Sequence, residues 1–373
     1  MSNDRPAASA SDTMSATTSA GEETTPTTQK SDSTPAGNIN RVRQESVLPQ
    51  TGMIGFIIAH EQFTAPELIR MGTRAVQSGF QLLATSDHFQ PWQANEAHSG
   101  LAWITLGALG AQAPGAWMGT SVTCPTMRYN PAIVAEAFAT LSLMYPGRIF
   151  LGVGSGEALN EHAATGTWPA WRERWDRLIE AITVIRELWT GEPVSHEGKY
   201  FNVNAKLYDP PPVSIPIFTA ANGKKSMRLA GQHGDGLITD PQTWKNFRPE
   251  WEQGARDAGK DPAGIPVMIE HFVVVGDETD ALLAAEQWRF LPNAFKSYFN
   301  IRDPAEIQRR AEAEVSLEKL TSQWPVSTDA EPHITAIKEL FDSGVSIVNV
   351  HSGQADQDKV IDFYASEVLP AFR

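Results

Sequence analysis

The sequence predicts an α/β fold of the (β/α)8 barrel type on three observations. Short apolar runs alternate with helix-patterned stretches eight times between residues 53 and 350. Most of these runs are continuously apolar, the mark of parallel strands buried on both faces. Ionisable and aromatic side chains gather directly behind the runs, at the carboxyl ends where parallel α/β folds carry their chemistry. A doubly wound open sheet is the alternative, but it usually has fewer strands and a clearer nucleotide fingerprint.

The first expected strand is Met53–Ala59, followed by Phe80–Ala84, which runs straight into Thr85-Ser-Asp-His-Phe-Gln-Pro-Trp92. Trp117–Thr123 and Arg148–Val153 follow, the latter entering the turn Gly154-Ser-Gly-Glu157. The remaining four are Ile215–Ala220, Gly236–Thr239, Val267–Val275 and Ser346–Val350. Helices are expected between them. Pro66–Val76 and Pro131–Leu143 each place proline in the first turn, where its missing N–H costs nothing, and space apolar residues three and four apart. Trp171–Trp189 aligns Trp171, Trp175, Leu178, Ile182, Ile185 and Leu188 on one stripe. Two connections exceed a bare barrel's needs, so insertions are expected after strands 4 and 7, over residues 158–214 and 277–345. The first contains a hairpin pattern, Pro193–Phe201, turning at Glu197-Gly198.

The domain reading is a Ser/Thr/Pro-rich tail over residues 1–47 and a barrel over residues 48–373. The tail has too few large apolar side chains to offset its ordering entropy, which predicts disorder. It lacks the pattern of a signal peptide, and no run of 18 apolar residues occurs, so a cytoplasmic protein with no membrane span is expected. The formal net charge of −14 argues against nucleic acid and anionic membrane surfaces as partners. One cysteine, Cys124, excludes an internal disulfide framework.

On a barrel the polar residues behind the strands converge on one mouth. They are His60 and Glu61; Asp87, His88 and Trp92; Ser121, Thr123 and Cys124; Ser155, Gly156, Glu157 and Asn160; Ala221, Asn222 and Gly223 ahead of two lysines; and His351. A histidine titrates near neutral pH and can take a hydroxyl proton, and a glutamate among glycines and apolar residues can be held as an acid. Simpler roles compete: Asp87 as a helix cap with His88 packed beneath it, and Gly152-Val-Gly-Ser-Gly156 as a tight turn. No metal is expected, because His60, Asp87, His88 and Glu157 lack close ligand spacing. A serine hydrolase lacks its Gly-x-Ser-x-Gly turn.

Ser86–Trp92, Gly119–Thr126, Arg128–Pro131 and Phe150–Glu161 together resemble the luciferase-like family. Within it they are similar to the deazaflavin-dependent branch of sugar-phosphate and hydroxymycolic acid dehydrogenases, which use coenzyme F420. The resemblance runs from Gly52 to the C terminus. It implies a (β/α)8 barrel, hydride transfer from a secondary alcohol (hydroxymycolate-like or sugar-like) to the deazaflavin, and a homodimer. It implies His88 as base, Glu157 as acid and Trp92 beside the reacting centre. Asp87, Glu61, a cis peptide at Ser121-Val122, and Thr123 would surround the ring. Ser155, Gly156, Asn160, Ala221, Asn222 and Gly223 would line the coenzyme tail. Of three cations that hold a sugar phosphate in that branch, the positions here are Arg228, Lys296 and the neutral Gln323, which turns the expectation towards the hydroxymycolate-like side. An FMN-dependent monooxygenase and a non-catalytic F420-binding protein are the alternatives.

Overall fold

The computed structural model describes residues 47–373, so the expectation for the tail lies, Val47 apart, outside the described residues. The strands in chain order are β1 (Met53–Ile58), β2 (Leu82–Thr85), β3 (Trp117–Thr120), β4 (Ile149–Val153), β5 (Val194–Glu197) and β6 (Asn202–Ala205). They continue with β7 (Ile217–Ala220), β8 (Gly236–Thr239), β9 (Val267–Phe272), β10 (Val274–Val275), β11 (Val326–Ser327) and β12 (Ile347–His351). Eight of them close a parallel barrel in the order β1-β2-β3-β4-β7-β8-β9-β12, with β12 returning to β1 at Met53↔Ile347. The expected barrel is therefore the observed one.

Strand alternation sorts side chains into two shells. Met53, Leu82, Trp117, Phe150, Phe218, Met268 and Ile347 fill the lumen. Their sequence neighbours Ile54, Leu83, Met118, Leu151, Ile217, Ile269 and Val348 face the surrounding helices. Large lumen residues require small ones beside them. A Cβ on Gly119 would collide with the Phe150 ring and carbonyl, and one on Gly152 with the Thr120 carbonyl.

The helices start where capping predicts. Thr64 and Glu67 form a capping box ahead of Ala65–Gln77. The Asn130 side chain accepts from the Ala132 N–H ahead of Pro131–Met144. The helix Trp171–Trp189 buries Trp175, Leu178, Ile182, Ile185 and Leu188, as the stripe predicts, and Trp171 is only half-buried. Between β4 and β7 lie a short helix (Glu161–Thr165), this long one, and the antiparallel β5–β6 hairpin. Between β9 and β12 lie four helices, Glu278–Ala285, Pro304–Glu314, Leu317–Thr321 and Ala330–Asp342.

Most strand boundaries differ from expectation by a residue or more, and three of the differences are instructive. Phe80 packs in the outer shell against Phe56, with ring centroids 5.1 Å apart, and β2 begins two residues later. β3 ends at Thr120 because the Ser121–Val122 peptide is cis; pairing resumes at a bridge between Thr123 and Val153. The run Val267–Val275 divides at Val273, and Val274–Val275 leaves the barrel to pair with β11.

A side chain at position 152 must displace backbone rather than a flexible tip. Gly152→Val is expected to lose about 3 kcal/mol of unfolding free energy or more, read by urea denaturation against wild type.

Candidate active site

The residue behind β2 that anchors the mouth is Asp87. It is buried, and it accepts from Thr123 Oγ1 at 2.6 Å and from Tyr129 OH at 3.0 Å. Thr123 in turn accepts from Trp103 Nε1 at 3.1 Å. Arg128 donates to the Asp87 backbone carbonyl at 2.7 Å and lies 3.6 Å from its carboxylate. Asp87 caps no helix; it ties the turns behind β2 and β3 together.

His88, the next residue, is half-buried and turns towards Glu61 behind β1, with Nε2 3.6 Å from Oε1. Glu61 is buried and accepts from Ser86 Oγ. The other imidazole nitrogen, Nδ1, lies 3.2 Å from the Gln90 carbonyl and 3.2 Å from Asn160 Nδ2. These contacts belong to different tautomers. With the proton on Nδ1, the Gln90 carbonyl accepts it and Nε2 is a free base; with the proton on Nε2, Asn160 donates to Nδ1.

Asn160 is the link between the two strand ends. Its Oδ1 accepts from the Phe89 and Gln90 backbone N–H groups at 2.8 and 3.2 Å. Its Nδ2 also reaches Glu157 Oε2 at 3.2 Å. His88 and Glu157, far apart along the chain, thus share one amide nitrogen. Trp92 is buried beside them, with its ring centroid 6.0 Å from that of His88, stacked on Phe290 at 4.9 Å and met edge-on by Phe295 at 5.8 Å.

His60 belongs to the framework. Thr85 Oγ1 donates to the Ile58 carbonyl, so it accepts from His60 Nδ1 at 2.6 Å, and Thr105 Oγ1 donates to Nε2 at 2.8 Å. Burial pushes its pKa down, which keeps the ring neutral. Glu161 also lies below the mouth. It accepts from the Arg128 N–H at 2.7 Å, and burial raises its pKa to about 7, against the opposing pull of Arg128. Among the described residues no group of three or more His, Cys, Asp or Glu is placed to hold a metal ion.

The remaining expected residues fall in two places. Ser121, Val122 and Ser155 are half-buried on the β3 and β4 rim, and Gly156 is buried with φ +86°. A Cβ on Gly154 would press on Val122, so the turns behind β3 and β4 pack directly on each other. Behind β7, Ala221 is buried, Asn222 exposed and Gly223 half-buried at the start of the helix Lys224–His233. Its first turn holds Lys224 and Lys225 and no acid, which suits an anion, with Lys224 meeting Glu250 of the next helix at 3.3 Å. Arg228 is turned away to Asp257 at 2.6 Å. Lys296 is exposed on the segment whose Phe295 covers Trp92.

The sequence reading gave no roles to Arg128, Tyr129, Glu161, Phe290 or Glu270. The motif Arg128-Tyr-Asn-Pro131 marks the first two, yet no local pattern shows that they meet Asp87.

The profile of the luciferase-like monooxygenase family matches residues 43–346. The chain belongs to this family. An F420-dependent hydroxymycolic acid dehydrogenase from Mycobacterium tuberculosis is 44% identical over 328 residues, 87% of this chain and 89% of that protein. An F420-dependent glucose-6-phosphate dehydrogenase from Microbacterium testaceum is 39% identical over 326 residues, 86% of this chain and 97% of that one. A solved structure of an F420-dependent secondary alcohol dehydrogenase with an F420-acetone adduct superposes with a TM-score of 0.81 at 36% identity, covering 87% of this chain and all of the other (100%). Among the described residues of this family member, no helix is long and apolar enough to cross a membrane.

Folding favours the protonated form of Glu161, because its pKa lies above the ordinary value of 4.5. Below that value the group contributes no pH dependence. As pH rises from 4.5 towards about 7 the unfolded state has already lost the proton that the folded state keeps, so stability falls, and it levels off once the folded state has lost it too. Relative to wild type, Glu161→Gln should therefore gain stability as pH rises from 4.5 to about 7 and hold that difference above it, read from denaturation midpoints at each pH.

Proposed function

We propose that this chain is an F420-dependent dehydrogenase that moves hydride from a secondary alcohol, hydroxymycolate-like or sugar-like, to the deazaflavin. The observation that supports the reading is the shared contact of His88 and Glu157 with Asn160 Nδ2, an imidazole and a carboxyl beside one amide. The names of the relatives supply the coenzyme, and the lysine-bearing helix start behind β7 suits an anionic group.

When bound, coenzyme F420 supplies the hydride acceptor. His88 Nε2 takes the hydroxyl proton, with Nδ1–H directed at the Gln90 carbonyl. Glu61, 3.6 Å away, offsets the charge of the imidazolium that forms. Glu157 holds the proton destined for the ring. Trp92 walls the carbinol, fixed by its stack on Phe290. Asp87, Thr123 and the cis Ser121–Val122 peptide shape the surface that backs the ring. Ser155, Gly156, Asn160, Ala221, Asn222 and Gly223 line the tail, and Lys224 and Lys225 attract its charge. Lys296 is the cation best placed for a charged end of the substrate; Arg228 would have to leave Asp257 first. With Gln323 neutral, this favours an alcohol other than a sugar phosphate. The single thiol, Cys124, is buried and free, which fits a cytoplasmic protein.

A homodimer is also proposed. Ile104, Ile133, Leu143 and Met144 are exposed on the adjoining helices Ala102–Gln112 and Pro131–Met144, an apolar face that a second copy would cover. Light scattering should give twice the chain mass for wild type and one chain mass for the Ile104→Asp, Ile133→Asp pair.

Titration with F420, followed by alcohols under anaerobic conditions, tests the activity through loss of deazaflavin absorbance. Bleaching that needs alcohol supports it; a protein that takes up FMN and ignores F420 would instead be a monooxygenase. His88→Ala should lower turnover by roughly 10²–10⁴-fold and leave the F420 dissociation constant within about threefold. Glu157→Gln should slow single-turnover ring reduction by a similar factor; an unchanged rate would remove it from proton transfer.

A further inference from the structure

The lumen has one polar wall. Glu270 on β9 and Asn349 on β12 are register partners, and His351 pairs with Phe272 one lumen layer further on. On β1 the register partner of Asn349 is Gly55, and Ile57 on β1 and Ile238 on β8, to either side of the wall, belong to the apolar lumen. Asn349 Oδ1 and His351 Nε2 are buried with no hydrogen-bond partner among the described residues. Orphaned buried polar atoms are unfavourable, and a wall that keeps two of them calls for a reason.

Of the three polar side chains of this wall only the Glu270 carboxylate is substantially exposed, Asn349 and His351 being buried. Its side chain is 33% exposed, while that of His351 is 3% exposed. His351 Nδ1 donates to Glu270 Oε1 at 2.5 Å. The imidazole is itself fixed, stacked on Phe272 at 4.2 Å and edge-on to Trp288 at 4.3 Å. Trp324 extends the wall by stacking on Phe272 at 5.2 Å. One oxygen of Glu270 is thus held by the histidine, and the other has no donor among the described residues.

This carboxylate belongs to the same mouth as the proposed reaction. In the closed ring of eight, β9 stands four places from β3, directly across from the Ser121–Val122 peptide. A run of rings, Trp92, Phe290 and Trp288, with neighbouring centroids 4.9 and 5.7 Å apart, joins the His88 side to His351. None of the roles assigned above uses Glu270.

We propose that Glu270, oriented by His351, is a specificity-determining acceptor for a second hydroxyl of the substrate, next to the carbinol that is oxidised. The inference rests on the dehydrogenase reading. The substrate class is then a vicinal diol or polyol-like secondary alcohol, with Phe272 and Trp324 against its carbon face. The reaction balances as for any alcohol: the carbinol carbon loses hydride to F420, its oxygen loses a proton to His88, and the second hydroxyl is unchanged.

The test compares propan-2-ol with propane-1,2-diol on the full chain loaded with F420. Wild type should show the higher kcat/KM for the diol. Glu270→Ala should lower the diol-to-monool ratio of kcat/KM by about tenfold or more, and Glu270→Gln, which keeps an acceptor, should restore most of it. The F420 dissociation constant, read by fluorescence, should stay within about twofold in both variants. A wild type that prefers propan-2-ol, a ratio unmoved in Glu270→Ala, or equal losses on both alcohols overturns the proposal and leaves the dehydrogenase reading standing. A coenzyme constant weakened in step with kcat/KM assigns Glu270 to the coenzyme and also overturns it. Should Glu270→Ala fail to fold, a Glu270→Gln variant that no longer prefers the diol overturns it equally. F420 that stays oxidised with both alcohols refutes the dehydrogenase reading itself, and this inference with it.

Discussion

Asn160 commits its amide to the loops behind β2 and β4. Its oxygen takes the Phe89 and Gln90 N–H groups, and its nitrogen faces His88 and Glu157. The barrel brings strand ends to a common rim, but rim loops are free to diverge, and the proposed base and acid need a fixed relation. One short side chain provides that relation. It also bears on the tautomer of His88, because Nδ1 can satisfy either the Gln90 carbonyl or the Asn160 amide, and only the first leaves Nε2 unprotonated.

Beneath this clamp lies a denser layer of ionisable groups. Asp87, Arg128 and Glu161 are drawn together by Thr123, Tyr129 and the Arg128 backbone N–H. Removing Asp87 would leave the buried Arg128 charge uncompensated, which costs more than the intact pair contributes, whereas Glu161, pushed towards its neutral form by burial, can be replaced by an amide. The arrangement is a costly support for stability alone, but it suits a turn that must hold His88 still. Below it the lumen alternates large apolar residues with glycine, so the floor of the mouth rests on close packing.

The architecture was legible in the sequence because continuous apolar strands and amphipathic helices report burial directly. Met53–Ile58 and Trp171–Trp189 follow from their own residues. Boundaries were lost where tertiary context decides them: Phe80 belongs to the outer shell, β3 stops at a cis peptide, and Val274–Val275 pairs outside the barrel. Behind the apolar runs, acid, imidazole and indole are locally visible, which is what makes His88 and Glu157 candidates. The Asn160 clamp, the stack of Trp92 on Phe290, and Glu270 against His351 were not, because each joins segments far apart in the chain. His60 shows the converse: it has the residue type of a ligand or base, and two threonines make it a neutral part of the framework.

The decisive measurement is a crystal structure of the F420 complex. The deazaflavin ring is expected on the Ser121–Val122 peptide, with His88 Nε2 and the Glu157 carboxyl both turned into the same cavity at its reacting carbon. A ring bound elsewhere, or one that leaves either side chain outside that cavity, would contradict it.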